Sequence, residues 1–367
     1  MRILQIIQQK QYRGAEIFAC QLSSHLIDLG HKVEIVSIYD GDALLPFKNK
    51  IPTLSSQGSN RYLDLQGWKK LADIIEGFKP DIIQANAADT LKYAVFSKLI
   101  YKWKAPIVYR NASTTSYYIK NQFSKFINSF LLRNVDRIIS VSYSSKWDLN
   151  RVFPFTKDKT LVVPIGIDPI KTEETDIALS PKRVNIIHVG SFTREKNHKG
   201  LLSIFKKLNA LNLNYFLHLI GEGPLRNIME EDVRQLELLD SVKFYEGVRN
   251  PLPYISAADI LVLPSNIEGL PAVLLESMFC KTPVVAYNVG GISEIVSSQT
   301  GSLIEKGDEA GFVKAVLETL ENPNMDQIEN AYQMVLKEYM NVEIALKFVE
   351  VYGDVIRLPP NPRRGSK

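Results

Sequence analysis

The chain has 367 residues, of which 45% are hydrophobic and 23% charged, and this composition excludes a disordered or fibrous protein. Its length suffices for two domains of roughly 150–200 residues each. No apolar run reaches the roughly 18 residues that a membrane-spanning helix needs, so we expect no such helix.

The N-terminus and the cysteines indicate where the chain works. The apolar run in MRILQIIQQK is too short for a secretory signal peptide and predicts a first β-strand instead. Cys20 and Cys280 lie far apart, without the spacing of a disulfide framework or a zinc site. We therefore expect a protein of the reducing cytoplasm.

The formal net charge of +4 conceals a difference between the two halves of the chain. Residues 1–160 contain 23 Lys and Arg against 13 Asp and Glu, a net charge of +10, and the remainder has a net charge of −6. This asymmetry predicts that the first half meets an anionic partner, such as a lipid headgroup, a phosphate-bearing acceptor or nucleic acid. A basic domain without such a partner is an equal alternative.

Short β-branched runs alternate with helical patterns along the first half of the chain. Runs such as IVSI and RIISV are typical of a parallel sheet covered on both faces. In chain order, the predicted elements are strand Ile3–Ile7, helix Ala15–Leu29, strand Val33–Ile38, helix Gly67–Phe78, strand Asp81–Ala85, helix Asp89–Lys102, strand Pro106–Arg110, helix Ser116–Leu132 and strand Arg137–Val141.

The alternation pauses in TLVVPIGIDPIKTEETDIALSPKR, where Pro, Gly and charged residues replace the periodic apolar ones. We interpret this segment as an interdomain linker and residues 164–182 as its hinge. The predicted strands of a second series are Val184–Val189, Tyr215–Ile220, Val242–Phe244, Ile260–Val262, Pro283–Ala286 and Ser302–Ile304.

Three further helices are predicted near 308–321, 325–339 and 341–356, and residues 359–367 form a tail. The whole pattern predicts two doubly wound α/β domains, residues 1–166 and 167–340. Two such domains would face each other across a cleft lined by the carboxyl ends of their strands.

The strongest local pattern is SNIEGLPAVLLESM. Glu268 lies in the loop after a predicted strand, and Glu276 follows eight residues later inside a helix. The free N–H groups near Leu270, Ala272 and Val273, at the start of that helix, form an anion site, while the carboxylates suit sugar or ribose hydroxyls. Solvated or helix-capping glutamates are the alternative.

Several segments resemble the retaining glycosyltransferases of family 4. EGLPAVLLE resembles their E-x7-E segment, HVGSFTREKNHKGLL their GR…EK segment, LIGEGPLR their GxGP turn, and GAEIFACQLSSHLIDLGHKVEIVS their first loop and helix. The resemblance covers most of the chain and is strongest from about residue 184 to 304. It implies the GT-B fold, with a final helix at about 341–358 that packs back on the first, acceptor-binding domain.

The resemblance also implies a reaction. A sugar would pass, with retention of configuration, from a nucleotide-diphosphate donor, expected to be a UDP-sugar, to a hydroxyl of a glycan or lipid-linked acceptor. Cell-surface polysaccharide or glycolipid synthesis is the expected setting. The resemblance implies no bound metal or other cofactor and no nucleic-acid partner, and we interpret the DGD sequence at 40–42 as a solvated turn.

Roles for single residues follow from the same resemblance. Lys196 and Arg194 would stabilise the leaving diphosphate, Glu268 would hold hydroxyls of the transferred sugar, and Glu276 those of the ribose. Many relatives carry Arg at the position of Ser191, so either Arg194 replaces that charge or the site has one cation fewer. The remaining expected donor contacts are Gly14, Gly190, Ser191, Gly221, Val248, Gly269, Leu270, Ala272 and Val273.

The acceptor side is less specific. Arg110 and Asn111 follow the strand PIVY, so we expect them at its carboxyl end, facing the cleft. Arg110 suits an anionic acceptor such as a lipid diphosphate, and uncommitted polar loop residues are the alternative.

The segment YYIKNQFSKFINSFLLR mixes aromatic and basic residues at helical spacing. This composition is typical of an interfacial helix, and core packing explains the same stripe. With the basic first half, it supports association with an anionic membrane surface at the inner face of the membrane.

Two other functions fit the same architecture. One is a GT-B nucleotide-sugar epimerase, and the other is a non-catalytic sugar-nucleotide-binding relative. Release of free UDP only when an acceptor is present separates transfer from epimerisation.

Overall fold

A computed structural model describes residues 1–55, 63–168, 179, 182–211 and 214–357. The chain forms two compact units: unit 1 is Met1–Asp168 with Asn341–Lys367, and unit 2 is Pro169–Met340. Most of the predicted hinge, residues 164–182, and the whole predicted tail lie outside the described residues. In the described part of the chain, no helix combines the length and apolarity needed to cross a bilayer.

Unit 1 is built on a parallel six-stranded sheet with the strand order β2-β1-β3-β4-β5-β6. The prediction that the linker begins at Thr160 is wrong, because Thr160 pairs with Ile138 and opens the last strand of this sheet. The strands are β1 (Arg2–Gln9), β2 (Lys32–Tyr39), β3 (Ile82–Ala85), β4 (Ile107–Asn111), β5 (Arg137–Ser140) and β6 (Thr160–Val162).

Helices connect these strands, as parallel pairing requires. They are α1 (Gly14–Asp28), α2 (Leu65–Phe78), α3 (Ala88–Tyr101), α4 (Thr115–Tyr118), α5 (Gln122–Arg133) and α6 (Tyr143–Val152). The single predicted helix Ser116–Leu132 is wrong, since the structure has α4 and α5 there. Asn121 separates them: its backbone is extended, and its side chain accepts a hydrogen bond from the Ser124 N–H at 2.8 Å, which caps α5.

Unit 2 has a second parallel six-stranded sheet, in the order β12-β11-β10-β7-β8-β9. Its strands are β7 (Val184–Val189), β8 (Tyr215–Ile220), β9 (Val242–Tyr245), β10 (Ile260–Leu263), β11 (Val284–Tyr287) and β12 (Ser302–Ile304). Its helices are α7 (His198–Leu211), α8 (Arg226–Gln235), α9 (Leu252–Ser256), α10 (Ala272–Phe279), α11 (Glu309–Glu321) and α12 (Met325–Glu338).

The last helix, α13 (Asn341–Arg357), belongs to unit 1. The rings of Phe348 and Phe18 lie 5.9 Å apart between their centroids, which packs α13 on α1. The buried hydroxyl of Tyr352 donates to Gln84 Oε1 at 2.7 Å and accepts from Gln5 Nε2 at 3.3 Å. An apolar contact and a satisfied polar network therefore hold α13 against the sheet of unit 1.

Replacing Tyr352 by Phe removes the hydroxyl that both buried glutamines use. Because an unpartnered buried polar group costs about 1–3 kcal/mol, we expect the free energy of unfolding of unit 1 to fall by that amount. Urea denaturation followed by tryptophan fluorescence reports on this unit, because unit 1 contains all three tryptophans, Trp68, Trp103 and Trp147. Tyr332→Phe on α12 of unit 2 is the control. Equal urea midpoints for Tyr352→Phe and the wild-type chain would contradict the prediction.

Candidate functional site

The strands β7 and β10 lie side by side in the middle of the sheet of unit 2, and successive strands add on opposite sides of this pair. The loops that follow them therefore diverge, which leaves room for a ligand at the carboxyl ends of the strands. Lys196 ends a short 3-10 helix in the first loop, and Glu268 lies in the second. Their Nζ and Oε1 atoms are 2.7 Å apart, so the fold brings these two predicted residues together as an ion pair.

Two asparagines connect the loops that carry this ion pair. Asn197 adopts a left-handed backbone conformation, with φ of 55°, and its Nδ2 donates to the Pro264 carbonyl at 3.0 Å. Asn266 donates its backbone N–H to the Glu195 carbonyl at 2.7 Å and its Nδ2 to the Arg194 carbonyl at 3.2 Å. Neither asparagine was predicted as a site residue. Asn is nevertheless a turn signal, because it tolerates positive φ better than most residue types.

Arg194 differs from Lys196 in its surroundings. Its side chain is exposed and makes no hydrogen bond within the described residues. Ser191 is half-buried in the same loop. The guanidinium of Arg194 is therefore accessible to an external anion.

Glycines set how closely the neighbouring loops approach. Gly221 has φ of 151°, and a Cβ there would collide with the carbonyl oxygen of Gly190. Gly221 and Gly190, both predicted to contact the donor, therefore pack against each other. Gly290, with φ of 57°, approaches the backbone of Glu268 in the same way, and Gly291 N donates to the Gly269 carbonyl at 2.9 Å. The NVGG sequence after β11 thus supports the Glu268 loop, a role that the sequence analysis did not assign.

The start of α10 offers unused backbone donors. Pro271 occupies the N-cap position, and within the described residues the N–H groups of Leu270, Ala272 and Val273 donate to no protein acceptor. The helix dipole and these donors together attract anions. These unused donors lie in the same loop as Glu268 and at the start of the helix that follows it.

Glu276 lies inside α10 and is half-buried. Burial without a cationic partner raises its pKa to about 7, from an ordinary value of 4.5. No side-chain hydrogen bond to its carboxylate is present within the described residues. Glu276 is therefore a strong acceptor that the protein itself leaves unused.

Two buried imidazoles lie beside Lys196. The rings of His188 and His198 are 4.8 Å apart, and His188 Nδ1 lies 2.9 Å from the Val262 carbonyl, which fixes the Nδ1–H tautomer. Burial lowers their pKa values to about 4 and about 2. Both rings are therefore neutral near pH 7 and leave Lys196 as the positive charge of this cluster.

The remaining donor-side predictions, Val248 and Gly14, are carried by other elements. Val248 is half-buried in the loop after β9, two strands from β7. Gly14 begins α1 in unit 1, and a Cβ at this position would meet no atom within 4 Å, so the protein itself does not require glycine there. Across the described ranges, no three His, Cys, Asp or Glu side chains are grouped as metal ligands.

Arg110 is placed differently from the prediction. We expected its side chain to emerge at the end of β4, but it is 2% exposed and its guanidinium lies 4.2 Å from the ring centroid of Phe18. Its Nε and Nη1 atoms are buried without an acceptor in the described part of the chain. Burial lowers its pKa to about 10, against the attraction of Glu16 and Tyr352. Arg110 is thus a buried, charged group whose hydrogen bonds are incomplete.

Asn111 also faces inward. Its Nδ2 donates to Ser140 Oγ at 3.2 Å and to the Ser145 carbonyl at 3.3 Å, and its Oδ1 accepts from Thr115 Oγ1 at 3.3 Å. The expectation that Asn111 projects outward is therefore wrong. It joins β4 to β5 and to the helices that follow, because a buried amide must find such partners.

Two family models match the chain. Residues 12–171 match the model described as Glycosyltransferase Family 4, and residues 170–334 match the model described as Glycosyl transferases group 1. The second match contains the Lys196–Glu268 pair and α10.

Curated relatives match part of the chain. It is 26% identical over 213 residues to the N-acetyl-alpha-D-glucosaminyl L-malate synthase of Bacillus anthracis, covering 57% of this chain and 55% of the relative. It is 27% identical over 240 residues to the N-acetylgalactosamine-N,N'-diacetylbacillosaminyl-diphospho-undecaprenol 4-alpha-N-acetylgalactosaminyltransferase of Campylobacter jejuni, covering 63% and 64%. The chain thus spans little more than half the length of the first relative.

Solved structures match nearly the whole chain. HepE of Anabaena, solved with UDP and glucose, has a TM-score of 0.81 at 20% identity, covering 96% of this chain and 100% of HepE. Sucrose-phosphate synthase of Thermosynechococcus elongatus has a TM-score of 0.80 at 19% identity, covering 96% and 98%. This likeness shows the two-domain Rossmann-like fold of the GT-B type that the sequence predicts.

Glu276→Gln tests the burial of that carboxyl. An acid whose pKa is raised in the folded chain loses stability as pH rises from the unfolded value, 4.5, to the folded value, about 7. Because Gln does not ionise, we expect the variant to be more stable than the wild type at pH 8 by roughly 2–3 kcal/mol, and equally stable at pH 4. Thermal unfolding between pH 4 and 8, with the exposed Glu318→Gln as control, measures this. A difference that does not change with pH would contradict it.

Proposed function

Because the chain belongs to the group 1, family 4 type of glycosyltransferases, we propose that it transfers a sugar from a nucleoside-diphosphate donor to a hydroxyl acceptor. The observation that carries this proposal is the Lys196–Glu268 pair at the divergence of the β7 and β10 loops. The ammonium group of Lys196 suits the diphosphate of such a donor, and the carboxylate of Glu268 suits the hydroxyls of its sugar.

Lys196 acts on the leaving group. The bond between the anomeric carbon and the phosphate oxygen breaks, and negative charge accumulates on the diphosphate. A fixed ammonium group in a site of low dielectric stabilises that charge, which is the main contribution that such sites make. Binding of the diphosphate replaces Glu268 as the partner of Lys196 and frees the carboxylate of Glu268 to accept hydrogen bonds from the sugar hydroxyls.

The start of α10 and Glu276 complete the donor site. The unused N–H groups of Leu270, Ala272 and Val273 bind diphosphate oxygens, and Arg194 adds an exposed positive charge. Glu276 accepts hydrogen bonds from the ribose hydroxyls, which favours its ionised form and offsets its burial. Gly190, Ser191, Gly221, Val248 and Gly269 supply further donor contacts in this proposal.

The transfer retains configuration and uses no bound metal. The acceptor oxygen attacks the anomeric carbon on the face from which the diphosphate leaves, and its proton passes to the leaving phosphate oxygen. Lys196 and the α10 N–H groups stabilise the negative charge on the diphosphate, which a metal ion would otherwise neutralise. We assign no protein side chain as base.

The donor and the setting are inferred from relatives. HepE has been solved with UDP and with UDP-glucose, which supports a UDP-sugar here. The Campylobacter relative is named for an undecaprenol-diphosphate acceptor, which supports a lipid-linked glycan and a role in polysaccharide or glycolipid synthesis. Such an acceptor is anionic, which suits the net positive charge of residues 1–160. The chain would act in the cytoplasm, at the inner face of a membrane.

A thermal-shift screen against UDP, GDP, ADP and their sugar conjugates tests the donor site. A ligand that binds only the folded chain stabilises it by about 2.7 kcal/mol at 100 times its Kd, so we expect UDP and one UDP-sugar to raise Tm. Lys196→Ala and Glu276→Ala should lose most of that shift. Lys314→Ala on the exposed face of α11 should keep it.

The outcomes separate the candidate functions. UDP release that requires an added acceptor supports transfer, and UDP release or sugar isomerisation without one indicates an epimerase. Stabilisation without any turnover indicates a non-catalytic relative. No shift with any nucleotide, or equal shifts in Lys196→Ala and the wild type, would contradict the proposed donor site.

A further inference from the structure

The helix α5 exposes a row of aromatic side chains. Phe123 and Phe126 are each 68% exposed, and Phe130 is 37% exposed. The spacing i, i+3, i+7 puts the three rings on one face of the helix. Of the two explanations that the sequence left open, core packing therefore fails for Phe123 and Phe126, since a core residue would be buried.

The exposed rings extend beyond α5. In α4, which directly precedes it, Tyr117 and Tyr118 are each more than two-fifths exposed. The backbone N–H of Ser116 donates to Asp148 at 2.7 Å, which holds α4 against α6, and α6 exposes Tyr143 and Trp147. We call Tyr117, Tyr118, Phe123, Phe126 and Phe130 the aromatic face.

Among the described residues, the side of α5 that carries Phe123 and Phe126 faces solvent. Leu131 and Leu132 are buried, and Phe130 stacks on Phe96 of α3 with 6.2 Å between ring centroids. The helix is therefore held to unit 1 along one edge, while Phe123 and Phe126 project away from it. Soluble monomers rarely expose contiguous apolar surface of this kind without a binding partner.

The segment that carries this face has charges of one sign. From Thr90 to Val135 the chain contains eight Lys and Arg and no Asp or Glu. Lys120, Lys125 and Arg133, within and next to α5, are exposed. A second copy of the chain would bring two basic faces together, which costs free energy, whereas an anionic surface is attracted.

We propose that the aromatic face docks on an anionic lipid bilayer. The 12 residues of α5 span about 18 Å, too short to cross a bilayer, so the helix lies in the plane of the headgroups. Phe123 and Phe126 enter the boundary of the acyl chains, and Lys120, Lys125 and Arg133 contact lipid phosphates. This docking is independent of the chemistry proposed for unit 2 and does not require turnover.

Co-sedimentation of the full chain with vesicles tests the proposal. Vesicles of phosphatidylcholine with one quarter phosphatidylglycerol should bind the wild type, and pure phosphatidylcholine should bind it at least tenfold more weakly. Lys120→Gln/Lys125→Gln should weaken binding to anionic vesicles roughly 25-fold, because each lysine contributes about fivefold near such a surface. Phe123→Ser/Phe126→Ser should weaken it at least tenfold. Higher salt should weaken wild-type binding.

Matched variants on unit 2 serve as controls. Ile228→Ser/Leu239→Ser removes two exposed apolar side chains, and Lys314→Gln/Lys337→Gln removes two lysines; both should bind vesicles like the wild type. All replaced side chains lie on the surface, so unchanged Tm values verify folding. Equal binding to both vesicle types, or wild-type binding by Phe123→Ser/Phe126→Ser, would overturn the proposal. A wild-type dimer that this variant converts to a monomer, without vesicle binding, would overturn it in favour of self-association.

Discussion

The pairing of β7 with β10 is the constraint on which the candidate site depends. Parallel strands end at one edge of a sheet, and because the chain continues to opposite sides of this pair, the two following loops separate there. Lys196 and Glu268 reach each other across that separation. Hydrogen bonds from Asn197 and Asn266 connect these two loops, and Gly290 approaches the backbone of Glu268 closely. These contacts hold the loops at a fixed spacing.

Some charged groups of this protein are paired, and others lack a full set of hydrogen bonds. Lys196 and Glu268 neutralise each other, and the neighbouring imidazoles are neutral because burial lowers their pKa values. Glu276 and Arg110 are different, since burial costs each of them free energy and the protein supplies no full set of hydrogen bonds in return. A buried polar group without a full set of hydrogen bonds is a more specific sign of ligand binding than the residue type alone.

The sequence analysis succeeded where a pattern is local. Apart from β6, the strands of both sheets and the three final helices are runs whose periodicity and burial are visible in the sequence, and the EGLPAVLLE segment identified the family. It failed where a contact between distant residues decides. Thr160 becomes a strand residue because it pairs with Ile138 of β5, and the buried guanidinium of Arg110 packs on Phe18 of α1.

The sequence by itself determined the alternation of strands and helices, the family, and the candidate site residues, because these follow from local periodicity and short motifs. Only the tertiary structure decided which of them meet: Lys196 with Glu268 across 72 residues, and Tyr352 with Gln84 across 268. It alone decided that Phe123 and Phe126 face solvent, since an amphipathic stripe looks the same whether a protein core or another surface covers it. Partners and exposure arise from packing between distant segments, which periodicity cannot encode.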